Sequence, residues 1–386
     1  MICKSQNITF AIQVSLIVIL FSSGLSVYFK SDLIFLLMPE YIPDAFLHLI
    51  LISILVSPVL IFFPSIVKKI IGLATLIIFP IFITFVFPEV QELSKIGRGA
   101  DHDDCIYTGA INLLKYKEFY GEGEIWSGSP MSCGPLWIGA LAPLIWALGY
   151  QFTFMFLTLA LIGIFIFFLG VSRGLLTLGI IGLCPAFWLS SANGSDFQVI
   201  GLVVALLCLP IGSAHQLYRP LFYTLLMVLS HSRLPLLALP FSFFTAIQPR
   251  IAIAVQIGSI TVWSLVAYRE SDKIFSNGPL HILDKAMNIF HVPDLALLNY
   301  VTATGAIFLL FLLAIFLIYL FFDLAPFAYI GAITLIPSML QLITNIYQHD
   351  ISTAFATWEG ALWSFSVVPA LAVALAAREE PQKPGP

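Results

Sequence analysis

The chain has 386 residues, 60% of them hydrophobic and only 10% charged, with a net charge of −4 and a mean hydropathy of +1.00. Soluble domains run at about half apolar and a quarter charged, which excludes a water-soluble enzyme and a disordered chain, and no basic footprint is present for a polyanion. At about 20 residues per crossing the apolar content suffices for roughly 10 to 12 spans, so the expected fold is all-α, a polytopic transmembrane bundle of about 11–12 helices.

Met1–Gln6 carries Lys4 and leads into an apolar run without a small-residue cleavage site, so a retained first helix is expected, with a signal peptide as the alternative. The apolar stretches fall at Ile8–Tyr28, Ala45–Ser65, Ile70–Phe87, Gln151–Val171, Leu175–Ser190, Phe197–Gly212, Leu221–Ser230, Leu234–Ile247, Ile251–Ala267, Val301–Phe322, Ala325–Ile343 and Ala361–Ala376. They are predicted helices, because unpaired backbone is prohibitively costly in lipid and no barrel-like alternation is present. Pro58, Pro80, Pro185, Pro240, Pro337 and Pro369 lie inside them and are expected to kink helices rather than end them. Pro135–Tyr150 is apolar but short for a crossing, with Gly134 and Gly149 at its flanks, as in a re-entrant or interfacial helix. Leu221–Ile247 is interrupted by His231, Ser232 and Arg233, then Pro235. Either two short helices meet there near the outer face, or one kinked helix buries an arginine.

No internal repeat is visible, and the simplest division is one membrane domain over 1–386. It would comprise N-terminal helices (1–88), an external catalytic-type loop with the re-entrant segment (89–150), core helices (151–267), a second external loop (268–300) and C-terminal helices (301–386). Lys4, Lys68, Lys69, Arg173, Arg219, Arg250 and Arg378 fall on one side when crossings are counted in order. That bias puts both termini in the cytoplasm and the long loops outside, in a bacterial inner membrane or an endomembrane.

Polar residues are scarce, so their clustering is informative. Of the 21 acidic residues, Glu89, Glu92, Asp101, Asp103, Asp104, Glu118, Glu122 and Glu124 share the first external segment. Its centre reads Asp101-His102-Asp103-Asp104-Cys105. Carboxylates this close repel one another and are stabilised by a divalent cation, a basic partner or water. A solvated acidic turn is the plain reading; a carboxylate held at the membrane surface as a base or metal ligand is the functional one. Tyr107, Ala110, Leu113 and Leu114 follow at helical spacing, then Phe119-Tyr120-Gly121, as in an amphipathic helix lying along the interface. Trp126 and Trp137 suit headgroup depth. Cys105 and Cys133 share this loop and would pair in an oxidising compartment, or stay as two thiols; no CxxC metal motif is present among the 5 cysteines.

This order resembles the GT-C superfamily of integral-membrane glycosyltransferases, which use lipid-phosphate-linked sugars. Asp103-Asp104, Tyr107, Ala110, Tyr120 and Pro135-Leu136-Trp137 match the family's first external loop. Arg173-Gly174 resembles its short cytoplasmic turn, Ser191–Asp196 its second external turn, and Ser230–Pro235 its basic-residue-plus-proline helix. The resemblance covers about Arg98 to Ile247. The chain departs from the family in having three apolar helices before the acidic loop and no large soluble C-terminal domain.

The resemblance implies inverting transfer of a sugar from a polyprenyl-phosphate donor to a hydroxyl of a glycan, lipid or protein. Asp103 would be the general base, since a hydroxyl needs help losing its proton. Asp104 and Asp101 would orient the acceptor, share the proton, or hold a divalent metal such as Mg or Mn. The departing phosphate needs a cation aimed at it, with Arg233 first and Arg98 and Lys95 behind it. Tyr107 borders the same site, and His102 beside the aspartates would be a ligand or proton shuttle, or else a solvated loop histidine.

Other positions carry two readings each. Asp196 would cap the helix beginning at Phe197 or belong to the site. Asn193-Gly194-Ser195 matches a glycosylation sequon that also arises by chance. Trp358-Glu359 would stack on a sugar, hold a metal, or anchor at the interface. His281, Asp284, His291 and Asp294 share the second external loop with spacings that signal a metal only weakly; that loop reads as a lid or cover. The alternatives to an enzyme are a non-catalytic scaffold subunit of a membrane complex and, behind it, a transporter. The latter would be expected to carry charges near the membrane midplane.

Overall fold

The structure is a computed structural model of the chain and describes residues 2–29, 57–94, 104–121, 131–209, 219–233, 236–237, 239–242, 249–270, 273–274, 278 and 365–380. The expected helices Val301–Phe322 and Ala325–Ile343 and the bulk of the second external loop lie outside them. Every regular element among the described residues is helical. The helices are α1 (Ile2–Phe29), α2 (Ser65–Ser94), α3 (Asp104–Tyr116), α4 (Pro135–Leu148), α5 (Tyr150–Leu169), α6 (Val171–Gly182), α7 (Pro185–Ala192), α8 (Phe197–Cys208), α9 (Arg219–Ser230), α10 (Leu239–Ser242), α11 (Pro249–Arg269) and α12 (Val368–Glu379). A 3-10 turn covers Ser57–Phe62.

Among the described residues, α2 and α5 are long and apolar enough to cross a membrane. α6 and α7 make a third candidate if the bent pair counts as one span. The prolines divide into two classes. Pro80 and Pro88 lie inside α2, which continues through both to Ser94. A proline at position 88 leaves the carbonyl of Thr84 without its helical donor. Gln151 fills the gap, its side-chain amide donating to the carbonyls of Ile83 (2.9 Å) and Thr84 (3.3 Å). Pro185, expected to kink a single helix, instead begins one: α6 ends at Gly182, α7 starts at Pro185, and the axis turns by 75°. Proline suits a first helical position because its missing N–H would have had no partner there. Trp188 donates to the Gly182 carbonyl at 2.8 Å and so satisfies an end group of α6. Pro369 likewise stands in the first turn of α12.

The described residues form two compact units, one within 1–102, 151–210 and 334–386, the other within 103–150 and 211–333. In the first, α2 shows two faces. Ile66, Ile70, Leu73, Ile77 and Ile81 are exposed, while Lys68, Thr75, Phe79 and Ile83 are buried. The buried face meets α6 at backbone contact distance. A Cβ added to Gly179 would lie 1.8 Å from the Lys68 carbonyl oxygen, and one on Gly72 would lie 2.0 Å from that of Leu175. Small residues are what let helices approach this closely where lipid removes the hydrophobic incentive to associate. Phe79, Phe187 and Phe365 continue the core as a chain of rings 5.4 and 5.7 Å apart. At one end, Lys68 pairs with Glu379 and Lys69 with Glu380. Arg173 donates to the Glu380 carbonyl at 2.6 Å, and Arg378 to the Thr9 hydroxyl at 3.0 Å.

In the second unit α3 packs on α4 and α11 packs on α9. α3 is amphipathic as its spacing predicts, although Cys105, Ile106, Gly109, Ala110 and Asn112 form the buried face while Leu113 and Leu114 are half-buried. A Cβ on Gly109 would meet Ile138 at 2.8 Å, so this glycine sets the α3–α4 approach. α9 ends at Ser230, and His231–Arg233 turn away from it, so the chain breaks there and does not run on as one helix.

Candidate functional site

Asp104 stands in the first turn of α3, where the helix dipole favours a carboxylate. Lys115 complements it in the last turn. The next residue, Cys105, is disulfide-bonded to Cys133 across a Cα–Cα distance of 6.1 Å. That bond ties the start of α3 to the extended residues that lead through Gly134 into α4. Cys133 is held from several sides. Its backbone N–H donates to Cys105 Sγ at 3.0 Å, and its carbonyl accepts from the Tyr120 hydroxyl at 2.8 Å.

Tyr120 is fully buried. Burial, reinforced by the nearby Glu270 carboxylate, pushes its hydroxyl well above the ordinary value, so it is a donor throughout the physiological range. Glu270, just past the end of α11 and itself buried, receives the backbone N–H groups of Phe119 (3.0 Å) and Tyr120 (2.9 Å). Arg269 next to it donates to the Lys117 carbonyl at 2.5 Å, and Lys273 pairs with Glu118. The end of α11 therefore clamps the turn that follows α3, and the turn in turn fixes Cys133.

The break after α9 closes the other side. The Gly134 N–H donates to the His231 carbonyl at 2.8 Å. A Cβ on Gly134 would lie 2.2 Å from that oxygen and 2.7 Å from the Trp263 ring, so no side chain fits here. The His231 ring stacks on Trp263 with centroids 5.7 Å apart, and the Ser230 and Ser259 hydroxyls meet at 2.8 Å. Arg233 is only 3% exposed. Its guanidinium donates to Cys133 Sγ at 3.0 Å and to the Ser232 carbonyl at 2.7 Å. Arg233 thus touches the disulfide whose other half directly follows Asp104.

Several buried polar atoms in this unit have no hydrogen-bond partner of good geometry: both His231 ring nitrogens, Trp263 Nε1, Gln256 Oε1 and Asn112 Nδ2. Burial draws the His231 imidazole down to about 4, with the Ser259 backbone pulling weakly the other way, so the ring is neutral near pH 7.

Of the sequence-predicted site residues, the structure describes Asp104, Tyr107, Asp196 and Arg233. Asp101, His102, Asp103, Lys95, Arg98 and Glu359 lie outside the described residues. Tyr107 is exposed on α3, facing away from the disulfide side of that helix. Asp196 belongs to the first unit, in the fully buried turn between α7 and α8. It occupies the cap position of α8, yet its side chain makes no capping bond. The Ser195 hydroxyl takes that place more weakly, accepting from Phe197 N–H at 3.4 Å. Burial of a carboxylate in a turn of Ser190, Ser191, Asn193 and Ser195 suits polar solvation by the protein better than capping. Asn193 is buried too, which leaves the sequon inaccessible in the folded chain.

Glu270, Trp263 and Gln256 were not foreseen as site residues. Their signal is the recurrence of Gln256, Ser259, Trp263 and Glu270 at helical spacing within and just beyond an otherwise apolar run. Among the described residues no group of three His, Cys, Asp or Glu side chains is arranged to hold a metal ion. Comparison with protein-family models, curated proteins and solved structures returned no match.

Proposed function

We propose that the chain is a multi-pass, GT-C-like membrane glycosyltransferase. It moves a sugar from a polyprenyl-phosphate donor to an acceptor hydroxyl on the outer or luminal face. The observation that carries this reading is the contact between the buried Arg233 guanidinium and the Cys105–Cys133 disulfide, one residue along from Asp104. Direct displacement at an anomeric carbon needs a base on the acceptor side and a cation on the leaving-group side. Asp104 opening α3, with Asp103 beside it in the sequence, and an arginine anchored to the same helix through a disulfide would supply both kinds of group. Asp103 takes the acceptor proton, Asp104 orients the acceptor, and Arg233 stabilises the departing phosphate. If a divalent metal such as Mg or Mn takes part, the acidic run Asp101–Asp104 is where it would bind.

The disulfide suits a compartment that is oxidising, which agrees with an external site. Lys68, Lys69, Arg173 and Arg378 gather at one end of the first unit, which supports assigning their shared side, and both termini, to the cytoplasm.

The test compares glycolipids and glycans by mass spectrometry from cells carrying wild-type protein, Asp103→Asn or Arg233→Gln at matched membrane levels. Loss of one sugar with build-up of its truncated precursor is expected in both variants. Unchanged profiles in both variants and in a deletion strain would sink the enzyme reading and move the weight to a scaffold subunit.

A further inference from the structure

We propose that His231, Trp263 and Gln256 form a subsite for an uncharged ligand with several hydroxyls, a neutral hexose or pentose ring, and that this subsite discriminates against charged sugars. That the ring belongs to a transferred or accepting sugar rests on the function proposed above; the preference for an uncharged polyol does not.

α11 is built inside out. Ile253, Ile257, Ile260 and Leu265 are exposed, whereas Gln256, Ser259 and Trp263 are buried, at spacings of three and four that put them on one face. The break after α9 brings His231 against that face, its ring stacked on Trp263 with centroids 5.7 Å apart. Ser230 gives its proton to the Met227 carbonyl at 2.7 Å, so the Ser259 hydroxyl donates to Ser230 at 2.8 Å. This pair pins the end of α9 to α11, and both serines are satisfied by it. Their neighbours are not. His231, Gln256 and Trp263 are 0, 5 and 6% exposed, yet both imidazole nitrogens, Gln256 Oε1 and Trp263 Nε1 have no hydrogen-bond partner of good geometry. Buried polar atoms left unmet are costly, so a group of them calls for something to meet them.

The unmet atoms define the chemistry of that ligand. Trp263 Nε1 only donates, Gln256 Oε1 only accepts, and a neutral imidazole does one of each. Burial keeps the His231 ring neutral near pH 7. A carboxylate or phosphate only accepts, and would leave Gln256 Oε1 and one imidazole nitrogen unmet. An ammonium only donates, and would leave Trp263 and the other nitrogen unmet. A hydroxyl does both. Gln256 and Trp263 stand two turns of α11 apart, with His231 opposite them, so hydroxyls are needed at more than one position, as a sugar ring carries them. Trp263 Cζ2, two bonds from Nε1, lies 2.7 Å from where a Cβ on Gly134 would be. The subsite therefore adjoins the segment that carries Cys133.

The experiment uses the full chain in lipid nanodiscs and saturation-transfer NMR. The probes are methyl glycosides of neutral hexoses and pentoses, each beside its uronic-acid or amino-sugar counterpart, at high millimolar concentration. At least one neutral glycoside should bind, and its charged counterpart should bind at least about tenfold more weakly. Gln256→Leu and His231→Phe, which keeps a stacked ring, should each weaken binding at least about tenfold. Without ligand, the melting temperature of Gln256→Leu should not fall, since the change removes an unmet acceptor. A clear fall means that Oε1 is satisfied within the chain and overturns the proposal. Binding of no glycoside, with water alone meeting these atoms, overturns it too, as does equal binding of charged and neutral probes or equal binding by wild type and both variants. If no glycoside binds but Asp103→Asn still loses a sugar in cells, the subsite fails and the transferase reading stands. Binding of a neutral glycoside with unchanged glycans in a deletion strain retires the transferase and leaves the subsite.

Discussion

Gly134 shows how much one hydrogen atom in place of a side chain can decide. Its N–H bonds His231 while its Cα lies against the same carbonyl and the Trp263 ring, so the loop after α9 and the start of α4 meet backbone to backbone. Gly134→Ala forces these backbones apart. A cost of about 1–3 kcal/mol is expected for overpacking of this kind, read as a lower melting temperature in detergent. An unchanged melting temperature would mean that the contact gives way easily. Glu270 illustrates the opposite economy, a single carboxylate that satisfies two successive backbone donors. Its spacing after Gln256, Ser259 and Trp263 puts it on a polar stripe but does not name its partners, which lie about 150 positions away.

At the scale of elements, the α2–α6 contact depends on Gly72, Gly179 and Gly182, each facing backbone or a short side chain at less than 3 Å from an added Cβ. Gly179→Val is therefore expected to separate the two helices and cost at least about 1–3 kcal/mol. A larger fraction of aggregated protein on gel filtration after detergent extraction would report it, and a wild-type profile would contradict it. The elements also show what was legible. Helix identity followed from the apolar stretches, since lipid leaves the backbone few other choices, and the amphipathic character of α3 from its helical spacing. Three polar residues in an apolar run left two readings open at His231–Arg233, a break or a kinked helix, and the structure has the break. The 75° turn at Pro185 was not legible, because a proline kinks or restarts a helix according to whether a neighbour fills the freed carbonyl, and that neighbour is set by tertiary packing. Gln151 does so for α2. The polar face of α11 was hidden for a similar reason, its members lying one or two turns apart and gaining meaning only against Tyr120 and His231.

At the scale of the whole molecule charge is sparse, and among the described residues it is paired at one end of the first unit. Lys68 is nearly fully buried and meets Glu379 from a position 311 residues away. Breaking a buried pair by removing one member costs about 3–5 kcal/mol, whereas replacing both with apolar groups is often neutral or stabilising. Glu379→Gln alone should thus lower thermal stability strongly, and Lys68→Met with Glu379→Leu should recover most of it. Equal losses in the single and double variants would show that the pair does not act as a unit. The neighbouring Glu380 carboxyl is held below its usual range by its hydrogen bond to Lys69, with Ser172 and Arg173 assisting. A depressed carboxyl stabilises at neutral pH and loses that contribution as pH falls through the carboxylate range.

The pairing of Lys68 with Glu379 also sets a timetable. Ribosomes add about 5–20 residues per second, so Lys68 emerges roughly 15 to 60 seconds before its counter-ion is made. During that interval the Lys68 ammonium has the Ile61 carbonyl, already synthesised, as an acceptor, while its carboxylate partner is still to come. A chain that stops just before Glu379 lacks that partner and is expected to be less stable in the membrane than the full chain, read as faster turnover in a pulse–chase experiment.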